Sequence, residues 1–266
     1  MTDISLLFEP PFARVVLNRP ERRNAISRAM WRALPAIRAA IEARQDALVV
    51  LVEGRGGHFS AGADISEFDE VYRDAAAARD YGDAVQDGLR ALIELDRPSI
   101  AVLQGNAVGG GLGLALACDV RFCAADAYLA VTPAKLGLVY GHAETRRLVE
   151  LVGPSRAKDL LFTGRRIETQ EALAIGLIDR RIETGLHDTA FGYARGLAEL
   201  SQASIRGAKR TIDAIVSGMT VETPAFRALV ESAALGVDFA EGRAAFADKR
   251  TAKFSFRGAT FPLPQG

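Results

Sequence analysis

"NAVGGGLGLALACD", residues 106–119, follows the apolar run Ile100–Leu103 and sets three consecutive glycines where a strand gives way to a helix. Glycine has two uses at such a place. Without Cβ atoms the backbone adopts φ/ψ values closed to other residues, and a ligand can touch it directly. The first N–H groups of a helix also lack intrahelical partners and lie in a field that favours negative charge, so an oxygen that is or becomes anionic is the expected visitor. Taken alone, the glycines serve equally well for close packing of helix on sheet. A second loop of the same kind tips the balance. "HFSAGAD" (58–64) also follows a buried strand, "ALVVLVE" (47–53). Two loops leaving neighbouring strands can aim two N–H donors at one oxygen, which is an oxyanion hole. Losing one such donor commonly costs about a hundredfold to a thousandfold in rate.

Outward from these loops the chain reads as α/β. "FARVVLN" (12–18) is a strand, and Ser27 can cap a helix running to about Arg44, with Pro35 expected to kink or split it. A polar, alanine-rich helical region covers about Ser66 to Leu95, and "RPSIAVLQG" (97–105) is the next buried strand. "DVRFCAA" and "AYLAV" read as short strands, and "HAETRRLVEL" as a helix start. Beyond Gly153 the texture is mostly helical, with a short strand in "LIDRRI" and helices near 187–200, 202–217 and 223–248. The tail "FSFRGATFPLPQG" (254–266) reads as an extension that packs on a neighbour or stays loose.

Lys plus Arg and Asp plus Glu both total 33, so the net charge is zero and there is no electrostatic footprint for nucleic acid or an anionic membrane. No apolar run is long enough to span a bilayer, and the start lacks a basic n-region and a long apolar stretch, so the cytoplasm is the expected location. Cys118 and Cys123 are expected to be buried free thiols. No glycine-rich stretch ends in the lysine of a phosphate-binding loop, and "GNAVGGGLG" lacks dinucleotide spacing. Ser60 lacks the first glycine of a nucleophile elbow, and His58, His142 and His187 show no metal-ligand spacing, so no metal is expected.

Five stretches occur in order along nearly the whole chain: "LNRPERRNAI" (17–26), "FSAGADI" (59–65), "GNAVGGG" (105–111), "LVGPSRAKDLLFTGRRIETQEALAIGLID" (151–179) and "EGRAAFADKRTAKF" (241–254). Together they resemble the enoyl-CoA hydratase/isomerase, or crotonase, family. The resemblance implies a crotonase-like spiral of ββα units over residues 1–195 with the coenzyme A site, and a helical C-terminal oligomerisation region over 196–266. It implies a homotrimer or homohexamer, an acyl-CoA thioester as substrate, and no cofactor beyond the coenzyme A of that substrate. It places the oxyanion donors on the backbone of Ala63 and Gly110. Coenzyme A contacts fall on Arg23, Ala25, Ala61, Ala63, Asp64, Ile65 and Ser66, with Phe246 and Lys249 able to reach the coenzyme A of an adjacent subunit.

The resemblance also exposes a departure. Hydratases of the family carry two glutamates that position and activate water, and the matching positions here are Gly113 and Pro133. Syn addition of water needs a base for the water and an acid for the α-carbon, so efficient hydration requires substitutes. Nearby candidates are Lys135, Tyr140, His142 and Glu144. Glu144 most simply supports the first turn of its helix, and Lys135 reads as an exposed loop cation. Tyr140 lies in "TPAKLGLVY", similar to a pattern of methylmalonyl-CoA decarboxylases in the superfamily, and its hydroxyl can serve as a weak proton donor. Glu67, Tyr72 and Tyr81 can also reach the site from the helical region 66–95. The reaction therefore stays open between hydratase, isomerase and lyase chemistry. The alternatives are decarboxylation of a malonyl-type thioester, which forms an enolate without a base, and a non-catalytic acyl-CoA binding protein. A scaffold that binds no coenzyme A at all is a further possibility.

Overall fold

The continuous apolar runs become strands buried on both faces, as parallel pairing requires. In the computed structural model, which describes residues 2–257, β1 (Ile4–Glu9) and β2 (Phe12–Leu17) form an antiparallel pair. β2 pairs in parallel with β3 (Val49–Gly54), and β3 with β4 (Ser99–Leu103). The chain then leaves this sheet as β5 (Asn106–Val108) and returns as β6 (Val120–Ala124) beside β4. β5 pairs instead with β7 (Tyr128–Ala130), and β7 with β8 (Arg166–Glu168), in a second, three-stranded sheet. β9 (Arg180–Ile182) completes the larger sheet in the order β1-β2-β3-β4-β6-β9. Val49–Val52 and Ile100–Leu103 supply the centre of the core, and the Gly110–Leu116 helix packs into it through Leu112, Leu114 and Leu116. This α/β arrangement, with strand, turn and helix recurring along the chain, is the fold class expected.

Four details differ from the sequence reading. The Arg28–Glu42 helix runs unbroken through Pro35. Its buried stripe of Met30, Trp31, Leu34 and Ile41 holds it on both sides of the proline, so packing outweighs the lost hydrogen bond. The region 66–95 divides into a short 3₁₀ turn (Ile65–Glu67), one helical turn (Phe68–Val71) and a long helix (Ala75–Ile93), which starts where Asp74 accepts the Ala77 N–H at 2.8 Å. The region 223–248 divides into Pro224–Ala234 and Val237–Ala247, with Gly236 as the cap of the second. The tail is tied to its own chain as far as it is described: Ser255 and Phe256 donate their N–H groups to Asp238 Oδ1 at 3.1 and 3.0 Å. The rest of that stretch, 258–266, lies outside the described residues.

Cys118 and Cys123 are buried and unbonded to each other, and burial pushes both thiols up to about 12. No described helix is long and apolar enough to cross a membrane.

Candidate active site

The two glycine loops meet because of strand register. Ser60 bridges Ala107 in parallel, with the Ser60 N–H on Asn106 O and the Val108 N–H on Ser60 O, both at 3.0 Å. Counting three residues forward from each side of that bridge reaches Ala63 and Gly110. A second parallel bridge, Ile26 to Ala63, fixes the other edge: Ile26 N–H donates to Gly62 O at 2.7 Å and Asp64 N–H to Ile26 O at 3.0 Å. Glycine is required at both turns. Gly62 has φ +102° and a Cβ there would lie 2.8 Å from Val108 O, while Gly109 has φ +50°. As a result a Cβ on Gly110 would lie only 3.7 Å from Ala63 N, and the position of one on Gly62 is 3.7 Å from Gly110 N. Among the described residues neither Ala63 N–H nor Gly110 N–H donates a hydrogen bond. Two open backbone donors side by side can hold one anionic oxygen.

The carboxylate missing from position 113 is replaced in space. A Cβ on Gly113 would lie 2.9 Å from Glu144 Cγ and 3.1 Å from the Tyr140 hydroxyl. Helical Cβ atoms point back toward the N-terminus, so a side chain at 113 would cover the turn that carries Gly110. Glu144 fills that volume instead, from the His142–Val152 helix. Its side chain is buried at 6% exposure, and from the first turn of that helix its carboxylate accepts its own N–H, the support for the helix start that the sequence suggests. Burial raises its carboxyl above the ordinary value, and its own N–H and the Gln86 amide, which donates Nε2 to Oε2 at 3.1 Å, offset this only in part. A raised carboxyl holds its proton more readily than an exposed one, which suits an acid–base role.

Aromatic side chains enclose this acid. Tyr140 donates its hydroxyl to Gly109 O at 3.0 Å, and burial together with the Glu144 carboxylate holds its pKa well above the ordinary value. Tyr72 and Tyr81 pack edge to face, 5.7 Å between ring centroids, and both titrate upward through burial first, with Glu144 adding to the shift. The Trp31 ring lies under Gly110, its Cζ2 3.4 Å from where a Cβ would be. Tyr72 and Tyr81 are thus where the sequence allowed them to be. Glu67 is not: its carboxylate accepts the Arg28 N–H at 2.7 Å and so caps the first long helix. His142 is exposed, Lys135 packs its alkyl chain against Gly164, and Pro133 begins the short Pro133–Leu136 helix. Gln86 was missed entirely, since a glutamine on a polar helix carries no signal in a single sequence.

A strip of chain continues from the donors to the surface. Ala61 N–H donates to Arg23 O at 2.8 Å, so Arg23, Ala25 and Ala61 lie together, with Arg23 exposed at φ +50°. Asp64 pairs with Arg19 at 2.7 Å and accepts the Ser66 N–H at 3.1 Å, while Arg22 reaches Ser66 Oγ at 2.9 Å. Burial pushes the Asp64 carboxyl up, but the Ser66 and Arg19 hydrogen bonds outweigh it and leave it below the ordinary value. Ile65 stands 64% exposed beside them. Phe246 is exposed in the last turn of the last helix and Lys249 just beyond it, and among the described residues no hydrogen bond or ion pair links either to 22–26 or 61–66.

A family model described as "Enoyl-CoA hydratase/isomerase" matches residues 9–257. The human "Enoyl-CoA hydratase domain-containing protein 2, mitochondrial" is 37% identical over 257 residues, covering 90% of this chain and 84% of that protein. The "Delta(3,5)-Delta(2,4)-dienoyl-CoA isomerase, mitochondrial" of Rattus norvegicus is 33% identical over 207 residues, covering 73% of this chain and 63% of that protein. Among solved structures, an enoyl-CoA hydratase/isomerase family protein from Hyphomonas neptunium superposes with a TM-score of 0.93 at 44% identity, over 96% of this chain and 98% of that one.

Proposed function

Starting from the fact that the chain belongs to the enoyl-CoA hydratase/isomerase family, we propose that it moves a proton on an acyl-CoA thioester through an enolate, with Glu144 as the acid–base group. The observation that carries this reading is the Glu144 carboxyl in the volume that a side chain at Gly113 would fill. The thioester oxygen sits between the N–H groups of Ala63 and Gly110. Glu144 removes a proton from the α-carbon, and the electron pair moves onto that oxygen, where the two donors stabilise it. Returning the proton from the same carboxyl to a carbon two bonds further along shifts the double bond. One carboxyl suffices for this, whereas hydration needs a second group at Pro133 to activate water. Isomerisation of an enoyl-CoA is therefore favoured over hydration.

The strip formed by Arg23, Ala25, Ala61 and Asp64–Ser66 carries the coenzyme A, and Tyr140 stays a neutral wall beside the reacting carbons. No group beyond the coenzyme A of the substrate takes part. Loss of CO₂ from a malonyl-type thioester needs no base and leaves Glu144 only the later return of a proton to the α-carbon, so it ranks lower. A pure binding protein has no use for a buried acid at this place.

The test is to incubate the protein separately with a 3-enoyl-CoA, crotonyl-CoA and methylmalonyl-CoA, following conjugated-thioester absorbance and product mass. A Gly110→Pro variant runs alongside; proline suits the first helical position but removes the N–H. Conversion of the 3-enoyl ester, lowered roughly a hundredfold or more in the variant, is the expected result. Rapid gain of water on crotonyl-CoA, or loss of CO₂, would overturn the choice of isomerisation.

A further inference from the structure

Gln86 has no part in the reaction written above, yet it is the side chain that fixes its acid. It lies half-buried on the Ala75–Ile93 helix and reaches across to a carboxyl on a different helix, donating from Nε2 to Glu144 Oε2 at 3.1 Å. Both side chains converge on Gly141: a Cβ there would lie 2.2 Å from Glu144 Oε2 and 2.6 Å from Gln86 Nε2. Oε2 is thus held between an amide donor and a glycine that leaves just enough room. Gln86 also forms part of the wall of a cavity of about 690 Å³, with Arg90, Ile93, His142, Ala143 and Arg146, while Glu144 does not reach that wall. Gln86 therefore stands between Glu144 and that charged, open space.

We propose that Gln86 is a positioning residue that clamps Oε2 of Glu144, leaves Oε1 to exchange a proton with the substrate, and closes the carboxyl off from the cavity behind it. This rests on the reading of Glu144 as the acid–base group. The groups whose own values respond to the Glu144 carboxylate are three raised tyrosines, Tyr72 after the Phe68–Val71 turn, Tyr81 on the same helix as Gln86, and Tyr140 before the His142–Val152 helix, while the cations Arg90, Arg146 and Arg147 and His142 line the cavity behind Gln86. Besides the backbone N–H of Glu144 itself, the Gln86 amide is the group that favours the ionised carboxyl. Removing it leaves burial less opposed.

The experiment is carbon-13 NMR of the full chain labelled at glutamate side-chain carboxyls, titrated as wild type, Gln86→Leu and Glu144→Gln. The Glu144 resonance is identified as the one lost in Glu144→Gln, so no substrate need be known. In Gln86→Leu its midpoint should move upward, and kcat for proton transfer at neutral pH should fall roughly tenfold with KM within about twofold. Gln86→Glu should move the midpoint further, because two carboxyls at that separation cannot both ionise readily. Gln86→Met, close in shape, serves if leucine disturbs the helix. A midpoint in Gln86→Leu or Gln86→Met equal to that of wild type would overturn the positioning role. Full activity in Glu144→Gln would instead bring down the reading of Glu144, a result that the titration of the Gln86 variants cannot mimic.

Discussion

Gly113 and Glu144 share one volume, and this shapes what each position tolerates. Glycine inside a helix normally costs about 0.5–1 kcal/mol relative to alanine. Here the added Cβ would meet Glu144 Cγ at 2.9 Å and the Tyr140 hydroxyl at 3.1 Å, so overpacking of about 1–3 kcal/mol should win and Gly113→Ala should destabilise. With Glu144→Ala present as well, the larger obstacle is gone and the same change should become close to neutral or stabilising. Urea unfolding of the four proteins in this cycle gives the coupling directly, and coupling near zero would mean that the two side chains do not compete. The sequence made the absence at Gly113 visible and put Glu144 among four nearby candidates, but it did not single out which of them fills the gap. Glu144 is 31 residues further along, and its nearness to Gly113 comes from tertiary packing that no local pattern encodes. The two glycine loops are easier to read, because each follows a buried strand and so carries its own local signature.

At the scale of elements, the site depends on short segments zipped together rather than on long helices. Residues 23–26 and 61–64 exchange backbone hydrogen bonds, and Asp64 then ties the second segment to Arg19 and caps the Ile65–Glu67 turn. The Asp64 carboxyl lies below its ordinary value in the folded chain, so its contribution to stability is full above the unfolded carboxyl range and fades as pH falls through the folded value. Asp64→Asn should therefore cost roughly 2 kcal/mol near neutral pH and progressively less in acid. Melting temperatures measured from pH 7 down to pH 3 check this; a gap between the two proteins that stays constant with pH would contradict it. Buried strands such as β3 and β4 were legible as apolar runs, while β5 and β8 are three-residue strands defined by their partners alone. The Arg28–Glu42 helix shows the converse case, a local breaker at Pro35 overruled by the packed face around it.

For the whole molecule, the helices that follow residue 200 leave many apolar side chains uncovered. Ile212, Ile215, Val230, Leu235, Val237 and Phe246 are all more than half exposed. A single soluble chain seldom leaves so much apolar surface open without a partner. We propose that copies of this chain cover it in a homotrimer or a pair of trimers, and sedimentation equilibrium should return three or six times the chain mass; a monomer at micromolar concentration would contradict this. The periodicity of one chain marks amphipathic helices but cannot count subunits, which is why the expectation of a trimer or hexamer rests on resemblance.

Enolate formation by Glu144 is the step on which the proposed function turns, and it can be measured without choosing a product. A saturated acyl-CoA is incubated in heavy water with wild-type protein and with Glu144→Gln, and deuterium entering the α-carbon is followed by mass spectrometry. Wild type should exchange the α-proton, faster as pH rises through the elevated Glu144 titration. Glu144→Gln should bind the ester equally well but exchange about a hundredfold to ten-thousandfold more slowly. Exchange by Glu144→Gln at the wild-type rate would show that the proton is handled elsewhere.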